Sequence, residues 1–194
     1  MKMTNSVLTA LCTVIVLGCS AFAQDTGHSS SIGWQQLVQS RIRLYGHRNW
    51  IIVADAAFPV YAASGVETIL VNDDLPTVLH YVTRAISSSH HVRATVFLDQ
   101  ELQFVTDRDY PGAAELRRQI NSTFTEGQVS SIPHAEVLSR IDEAGKTFRI
   151  LFIKTTATIP YTSVYMRLDC GYMSDEVDRK IKAAVSTAGR EQLK

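Results

Sequence analysis

The sequence predicts a layered α/β fold, in which helices cover a sheet. Short apolar runs rich in β-branched residues alternate with longer segments whose apolar residues recur every three or four positions. This alternation is typical of strands and helices that share one core. A length of 194 residues, of which 45% are hydrophobic, fits a single domain. The formal net charge is +0 and no run of lysine or arginine occurs, so we expect no nucleic-acid-binding surface.

The first 23 residues have the pattern of a signal peptide. Lys2 precedes an apolar run at residues 7–17, and the Ala-Phe-Ala sequence at 21–23 is a suitable cleavage site. A second interpretation is open, because "VLGC" resembles a lipobox and would place a lipid on Cys19. We therefore expect export to the periplasm or the medium, with membrane attachment only if Cys19 is lipidated.

A polar, Ser-rich leader at residues 24–33 precedes the predicted domain, residues 34–175. The spacing of apolar residues from Trp34 to Tyr45 predicts a helix, and Gly46 is expected to end it as a C-cap. "NWIIVADA" follows as a continuous apolar run, which favours a strand buried on both faces. "VETILV" predicts a second strand.

A second helix is predicted after "NDDLP", with Asp73 or Asp74 as the N-cap and Pro76 in the first turn. The same alternation continues to the end of the domain, and residues 176–194 are predicted to form a C-terminal helix or tail. The remaining predicted elements are a strand at "VRATVFLD", helices at "PGAAELRRQINSTF" and "SSIPHAEVLSRIDEAG", and strands at "TFRILFIKTTA" and "SVYMRLDCGY".

His47 and Asp55 lie at the two ends of the first predicted strand and are the first candidates for chemistry. Imidazole gives and takes protons near neutral pH. Ligands of open α/β sheets gather outside the carboxyl ends of strands, where Asp55 is expected. On spacing alone an alternative is equally good: His47 caps the preceding helix, and Asp55 caps a turn before Pro59.

Three later residues are weaker candidates when taken singly. His134 heads a predicted helix, whereas Tyr161 and Ser163 lie in a turn between two strands. Taken singly, Tyr161 is better explained as a packing residue and His134 as a surface group at a helix end. His90 and His91 are adjacent in a Ser-rich loop without a third ligand at helical spacing, so we expect no metal site there.

The order and spacing of these motifs resemble the ribose pyranase and fucose mutarotase family (RbsD/FucU-like). "GHRNWIIVADAAFP" is similar to the Gly-His, apolar strand, Asp-Ala-Gly-Leu-Pro pattern of that family. "LPTVLHYVTRAI" resembles its following helix, and "IPHAEVLSRI" its histidine-headed helix. "PYTSVYMRLDCG" resembles its Pro-Tyr-x-Asn turn and last strand. The likeness covers roughly residues 34 to 173, which implies a single RbsD/FucU-like α/β domain.

The resemblance implies an enzyme without a cofactor or metal, which opens a pyranose ring and recloses it as the other anomer or as a furanose. His47 would transfer the proton, and Asp55 would orient the sugar or the imidazole; both are expected together at the mouth of a pocket. The substrate, a monosaccharide, would be bound through His134, Tyr161 and Ser163. The family forms rings whose sites lie at subunit contacts, so a homo-oligomer is implied.

Four departures from the family pattern concern the sugar contacts. Ser163 stands where the family commonly has asparagine, and Thr156-Ala157 replaces Gly-Glu. Ala57 replaces a glycine, and Leu138 stands where some relatives have lysine. Export is a further departure, because family members generally serve cytoplasmic sugar catabolism. Two alternatives therefore stay open: an exported monosaccharide-binding protein that has lost turnover, and a structural assembly protein.

Overall fold

The computed structural model describes residues 33–125 and 127–191, within one compact unit, Ile32–Lys194. The predicted signal peptide lies outside the described residues and stays a prediction. No described helix is long and apolar enough to cross a membrane. The elements are α1 (Trp34–Leu44), β1 (Trp50–Ala54), β2 (Val66–Leu70), α2 (Leu75–Ser87), β3 (Val92–Asp99), a 3-10 helix (Gln100–Phe104), α3 (Ala113–Ser122), β4 (Val129–Ile132), α4 (His134–Gly145), β5 (Ile150–Lys154), β6 (Val164–Cys170) and α5 (Asp175–Glu191).

The strands form one mixed sheet in the order β2-β5-β1-β6-β3-β4. β5 pairs in parallel with β1 and β2, and β3 pairs in parallel with β4. β6 is antiparallel to both of its neighbours, β1 and β3. The carboxyl ends of β1 and β3 therefore lie beside the amino end of β6, and this edge of the sheet is called the carboxyl edge below.

Helices cover both faces of the sheet, as the layered α/β prediction requires. All five residues of β1 are buried, since alternate side chains belong to two different cores. Ile51 and Val53 pack into the core that α1, α2 and α3 cover, whereas Ile52 packs into the core that α4 covers. Burying a large aliphatic side chain contributes about 1.5–3 kcal/mol. The continuous apolar run of β1 is thus explained by burial on both sides, and the predicted fold class is confirmed.

Several element ends differ from the sequence prediction. Asp74 caps α2 by accepting a hydrogen bond from the Thr77 N–H, as expected. However, α1 ends at Leu44 with an extended Tyr45, and the left-handed conformation falls on Arg48 (φ 71°) rather than on Gly46. The prediction of a Gly46 C-cap is therefore wrong. β4 was not predicted, because this short edge strand has the sequence "VSSI" and lacks an apolar run.

Candidate functional site

The reversed direction of β6 brings Asp55, Asp99 and Ser163 to one place. Val164, the first residue of β6, pairs with the next-to-last residue of both β1 and β3. Ser163 immediately precedes Val164, so it lies between the strand ends that carry the two aspartates. The carboxyl edge of an open α/β sheet is a common place for ligands. These three residues form the centre of the candidate site.

The Asp55 carboxylate is fixed by hydrogen bonds on both oxygens. The Ser163 hydroxyl donates to Oδ2 of Asp55 over 2.8 Å and accepts the backbone N–H of Asp55 over 3.2 Å. The backbone N–H of Ala57 donates to Oδ1 over 2.9 Å. Each carboxylate oxygen can accept more than one hydrogen bond. Asp55 is half-buried, so it is both held in place and able to accept a ligand hydroxyl.

Asp99 and His134 form the second polar pair of the site. The Asp99 side chain is buried, and its Oδ2 lies 3.0 Å from Nδ1 of His134. The phenol of Tyr165 donates to the same oxygen over 3.1 Å. Burial raises the pKa of Asp99, and the nearby imidazole offsets only part of that rise. Oδ1 of Asp99 is buried with no hydrogen-bond partner in the described part of the chain.

Tyr165 connects the two pairs inside the protein. Its side chain is fully buried, and its phenol donates to Asp99 and lies close to the Ser163 hydroxyl. Burial is the main cause that raises the pKa of Tyr165, so the phenol stays protonated and acts as a donor. A connected series of polar contacts therefore runs from Asp55 through Ser163, Tyr165 and Asp99 to His134.

His134 is held in place from three sides. It is the first residue of α4, and its backbone N–H donates to both carboxylate oxygens of Glu101, at 3.1 and 3.0 Å. A carboxylate at a helix N-terminus also interacts favourably with the positive end of the helix dipole. The Tyr161 ring meets the imidazole edge-on, with 5.4 Å between ring centroids. Nδ1 faces Asp99, so Nε2 is the nitrogen that remains for a ligand.

Tyr161 adopts an uncommon backbone conformation beside His134. Its φ of 60° is left-handed, which is strained for a residue other than glycine. The turn that contains Tyr161 is fixed by a hydrogen bond of 2.7 Å, which the Thr162 hydroxyl donates to the Ile159 carbonyl. Strain of this kind costs about 1–3 kcal/mol and occurs often at ligand sites. The Tyr161 ring is partly exposed and offers an apolar surface next to the imidazole.

The structure brings together four of the five predicted site residues: Asp55, His134, Tyr161 and Ser163. His47 lies elsewhere, in an exposed turn before β1 whose Arg48 N–H donates to the Leu168 carbonyl. The five-residue strand between His47 and Asp55 is about 17 Å long. The expectation that His47 and Asp55 meet is therefore wrong within one chain. The role of His47 itself stays a prediction.

Sequence reasoning missed Asp99, Tyr165 and Glu101. One signal for Asp99 was present, because it ends an apolar strand run in the same way as Asp55 does. Tyr165 shares the alternation of Ser163 along β6, but a strand tyrosine is usually a packing residue. Glu101 contacts His134 from the 3-10 helix, which the sequence did not predict. The missing information was the sheet order, which only the structure provides.

Among the described histidines outside the candidate site, His91 has a structural role. Nε2 of His91 contacts the carbonyl oxygens of Ile42 (2.9 Å) and Tyr45 (3.1 Å), and Nδ1 contacts the Ser89 hydroxyl (2.7 Å). His91 therefore ties the loop after α2 to the end of α1. Within residues 33–125 and 127–191, no group of three or more histidine, cysteine, aspartate or glutamate side chains is arranged to hold a metal ion.

Comparison with solved structures finds similar folds. The structure of Bacillus subtilis RbsD complexed with D-ribose matches with a TM-score of 0.50 and 15% identity, over 69% of this chain and 91% of that chain. The fucose mutarotase in complex with L-fucose from Streptococcus pneumoniae matches with a TM-score of 0.47 and 16% identity, over 71% and 93% of the two chains. FucU from Bifidobacterium longum matches with a TM-score of 0.44 and 10% identity, over 69% and 93%.

Among curated proteins, none matches the sequence significantly. The sequence model of the RbsD / FucU transport protein family matches residues 35–173, which include all the residues of the candidate site. The protein is a member of the RbsD / FucU transport protein family.

Proposed function

We propose that this protein is a sugar mutarotase or pyranase that uses no cofactor and interconverts anomers or ring forms of a monosaccharide. Family membership supports this proposal, and the similar RbsD structure was solved with D-ribose. The observation that carries it is the Asp99–His134 pair at the carboxyl edge, within one polar series with Asp55. Carboxylates and an imidazole bind and deprotonate sugar hydroxyls, and an aromatic ring packs against the apolar face of a sugar.

Asp55 and the Tyr161 ring would bind the sugar. The Asp55 carboxylate is already oriented by Ser163 and Ala57, so it accepts a sugar hydroxyl without losing side-chain freedom on binding. The partly exposed ring of Tyr161 would pack against the apolar C–H face of a pyranose.

Ring opening moves two protons and breaks one bond. A base removes the proton of the anomeric hydroxyl, the bond from the anomeric carbon to the ring oxygen breaks, and an acid protonates that oxygen. After rotation about the bond from its first carbon, the open-chain aldehyde recloses by the reverse proton transfers: the same hydroxyl adds to the other face of the carbonyl and gives the other anomer, or a different hydroxyl adds and gives a furanose. His134 suits one of these proton transfers, because Asp99 contacts Nδ1 and leaves Nε2 for the substrate. Its position is fixed by Glu101 and Tyr161.

The resemblance assigns proton transfer to His47, so in this proposal His47 carries out the second of the two transfers. Within one chain this residue lies beyond the opposite end of β1, so a second chain would have to supply it. The homo-oligomer implied by the resemblance would do so if the turn at His47 of one chain met the carboxyl edge of another. The assembly is therefore a part of the proposed function.

The first test is exchange between sugar forms, measured by saturation-transfer NMR on a panel of monosaccharides with the full chain. We expect exchange above the uncatalysed rate, with a loss of about a hundredfold or more in His134→Ala and in His47→Ala, since general acid–base catalysis contributes about 10²–10⁴-fold. His80→Ala is the matched control, because His80 is an exposed histidine of α2 outside the site. Full activity in both the His134 and His47 variants would contradict the proposal.

A mixing experiment tests whether the site is shared between chains. His47→Ala and Asp55→Asn are expected to be inactive separately, and to recover part of the activity when they are unfolded and refolded together. Recovery requires that His47 of one chain acts with Asp55 of another. Failure to recover, in mixed oligomers that sedimentation shows to have formed, would place both residues in separate roles.

A second candidate function is sugar binding without turnover. Its support is the sequence at the site: Ser163 and Ala157 replace polar residues of the family pattern, and the Ala157 carbonyl accepts the N–H of Ala56 next to Asp55. In a binding protein, bound-state contacts to a sugar would appear by NMR without exchange between its forms. His47→Ala would then leave the affinity unchanged.

We also propose that the protein is exported, either by cleavage before Gln24 or as a lipoprotein through Cys19. The sequence of residues 1–23 supports this proposal. Mass spectrometry of the mature protein distinguishes an N-terminus at Gln24 from a lipid-modified Cys19. An intact N-terminus at Met1 would contradict export.

A further inference from the structure

A groove of about 850 Å³ lies between α1 and α2 and shares no residue with the candidate site. One wall is a helical stripe of α1 that includes Ile42 and Arg43. The other is a stripe of α2 that includes His80, Tyr81 and Arg84, and the loop with His90 closes one end. Small-molecule sites usually occupy about 300–1,000 Å³. The groove is therefore large enough for a molecule bigger than a phosphate ion.

The groove is locally basic in a chain of formal net charge +0. Arg43 and Arg84 approach it from opposite walls, and none of the described residues that line it is acidic. Both guanidinium groups are exposed, and neither makes a hydrogen bond or an ion pair with another described residue. The side chains of His80 and His90 are also exposed and likewise have no such partner in the described ranges.

The walls of the groove are fixed by contacts behind its surface. The Tyr81 ring packs edge-on against Trp34 of α1, with 5.0 Å between centroids, and its hydroxyl donates to the Gln35 carbonyl. His91 ties the closing loop to the Ile42 carbonyl at the end of α1. A groove that is held open in this way loses little entropy when a ligand binds.

The two arginines lie near the C-termini of their helices, where a cation also stabilises the helix dipole. That effect explains their position along each helix but not why both line the groove. Each helix end carries a partial negative charge of only about 0.5. Two full positive charges outweigh it, so the groove attracts anions.

We propose that this groove binds a soluble phosphate ester that also carries an apolar group. Two guanidinium groups match the oxygens of a phosphate and form charge-assisted hydrogen bonds with it. Tyr81 and Ala85, both partly exposed, provide the apolar surface for the rest of the molecule. Phenyl phosphate combines both features, and inorganic phosphate has only the first.

The test is isothermal titration calorimetry of the full chain with phenyl phosphate at low salt. The Arg43→Gln/Arg84→Gln double variant is expected to bind at least about tenfold more weakly, because each charge-assisted hydrogen bond contributes strongly. The double variant with lysine at both positions should keep part of the affinity. Arg108→Gln is the matched control, since Arg108 is exposed, has no ion pair with a described residue and lies outside the groove.

The expected pattern is tighter binding of phenyl phosphate than of inorganic phosphate, no binding of benzyl alcohol, and weaker binding as salt rises. Equal affinity in the glutamine double variant and in Arg108→Gln would overturn the proposal. Binding of the chain to vesicles of anionic phospholipid without binding of phenyl phosphate would also overturn it. A third contrary result would be that the groove is buried between copies of the chain. In that case sedimentation would show that the glutamine double variant dissociates, and neither protein would bind phenyl phosphate.

Discussion

The carboxyl edge of the sheet and the groove between α1 and α2 differ in how their charged side chains are paired and buried. At the edge, Asp99 is buried and contacts His134 and Tyr165, while Asp55 accepts a hydrogen bond from Ser163. In the groove, Arg43 and Arg84 are exposed and have no partner among the described residues. A buried charge must be paired within the protein, whereas an exposed one remains available to a ligand. Substitutions at the edge should therefore change stability and function together, and those in the groove should change binding alone.

The largest expected effect is at Tyr165, which lies at the centre of the polar series. Tyr165→Ala should lower the free energy of unfolding by about 3–5 kcal/mol, because it removes a buried aromatic ring. Tyr165→Phe keeps the ring and leaves Asp99 and Ser163 without the phenol, which should cost about 1–2 kcal/mol. Urea denaturation of both variants measures the two contributions. Equal losses in the two variants would show that the hydroxyl, rather than the ring, dominates.

A second effect concerns the pH dependence of stability through Asp99. Its pKa is raised by burial, so the folded protein binds this proton more tightly than the unfolded chain does. The resulting stabilisation is fully present below the ordinary pKa of 3.8 and is lost as pH rises through the folded pKa. His134→Gln removes the group that lowers this pKa, so the loss should move to higher pH. Urea unfolding at a series of pH values from below 3.8 upwards measures where the stabilisation is lost. Asp99→Asn should lack this pH-dependent contribution to the free energy of unfolding.

A smaller effect is expected for Ser163, which orients Asp55. Ser163→Ala removes the donor to Oδ2 of Asp55, at a cost of about 1 kcal/mol in the free energy of unfolding. If Asp55 binds the sugar, the same change should weaken sugar affinity by more than it weakens stability, because the carboxylate loses its fixed orientation. Calorimetric titration and urea denaturation of the same variant compare the two. Unchanged sugar affinity would separate Ser163 from the site.

The smallest effect on stability is expected in the groove. Arg43→Gln and Arg84→Gln should each change the free energy of unfolding by less than about 0.5 kcal/mol, since exposed side chains without partners contribute little. Thermal denaturation monitored by circular dichroism measures the stability of both variants. A loss above about 1 kcal/mol, which is twice the usual value for a surface residue, would mean that these arginines stabilise the fold and would remove the contrast between the two regions.

The layered fold could be predicted because it depends on local pattern, whereas four residues of the candidate site were predicted mainly through the family resemblance. The apolar run of β1 is a direct result of burial on two faces, and Asp55 lies at its end as expected. The connection of Asp55 to Asp99 depends on the order of strands in the sheet, which no local pattern records. The expectation that His47 lies beside Asp55 fails because the two residues lie at opposite ends of β1. The groove has no clear signal in the sequence, because exposed arginines on a helix usually face only solvent.

The reversed strand β6 also has a consequence for how the protein folds. Ser163 and Asp55 are 108 residues apart in sequence, and Tyr165 and Asp99 are 66 apart. Contacts of such long range form late, because a large loop must first be closed. The polar series therefore exists only once β1, β3 and β6 have all joined the sheet. A fragment or a nascent chain that lacks β6 would carry both aspartates without the candidate site, so the candidate site forms only when folding is complete.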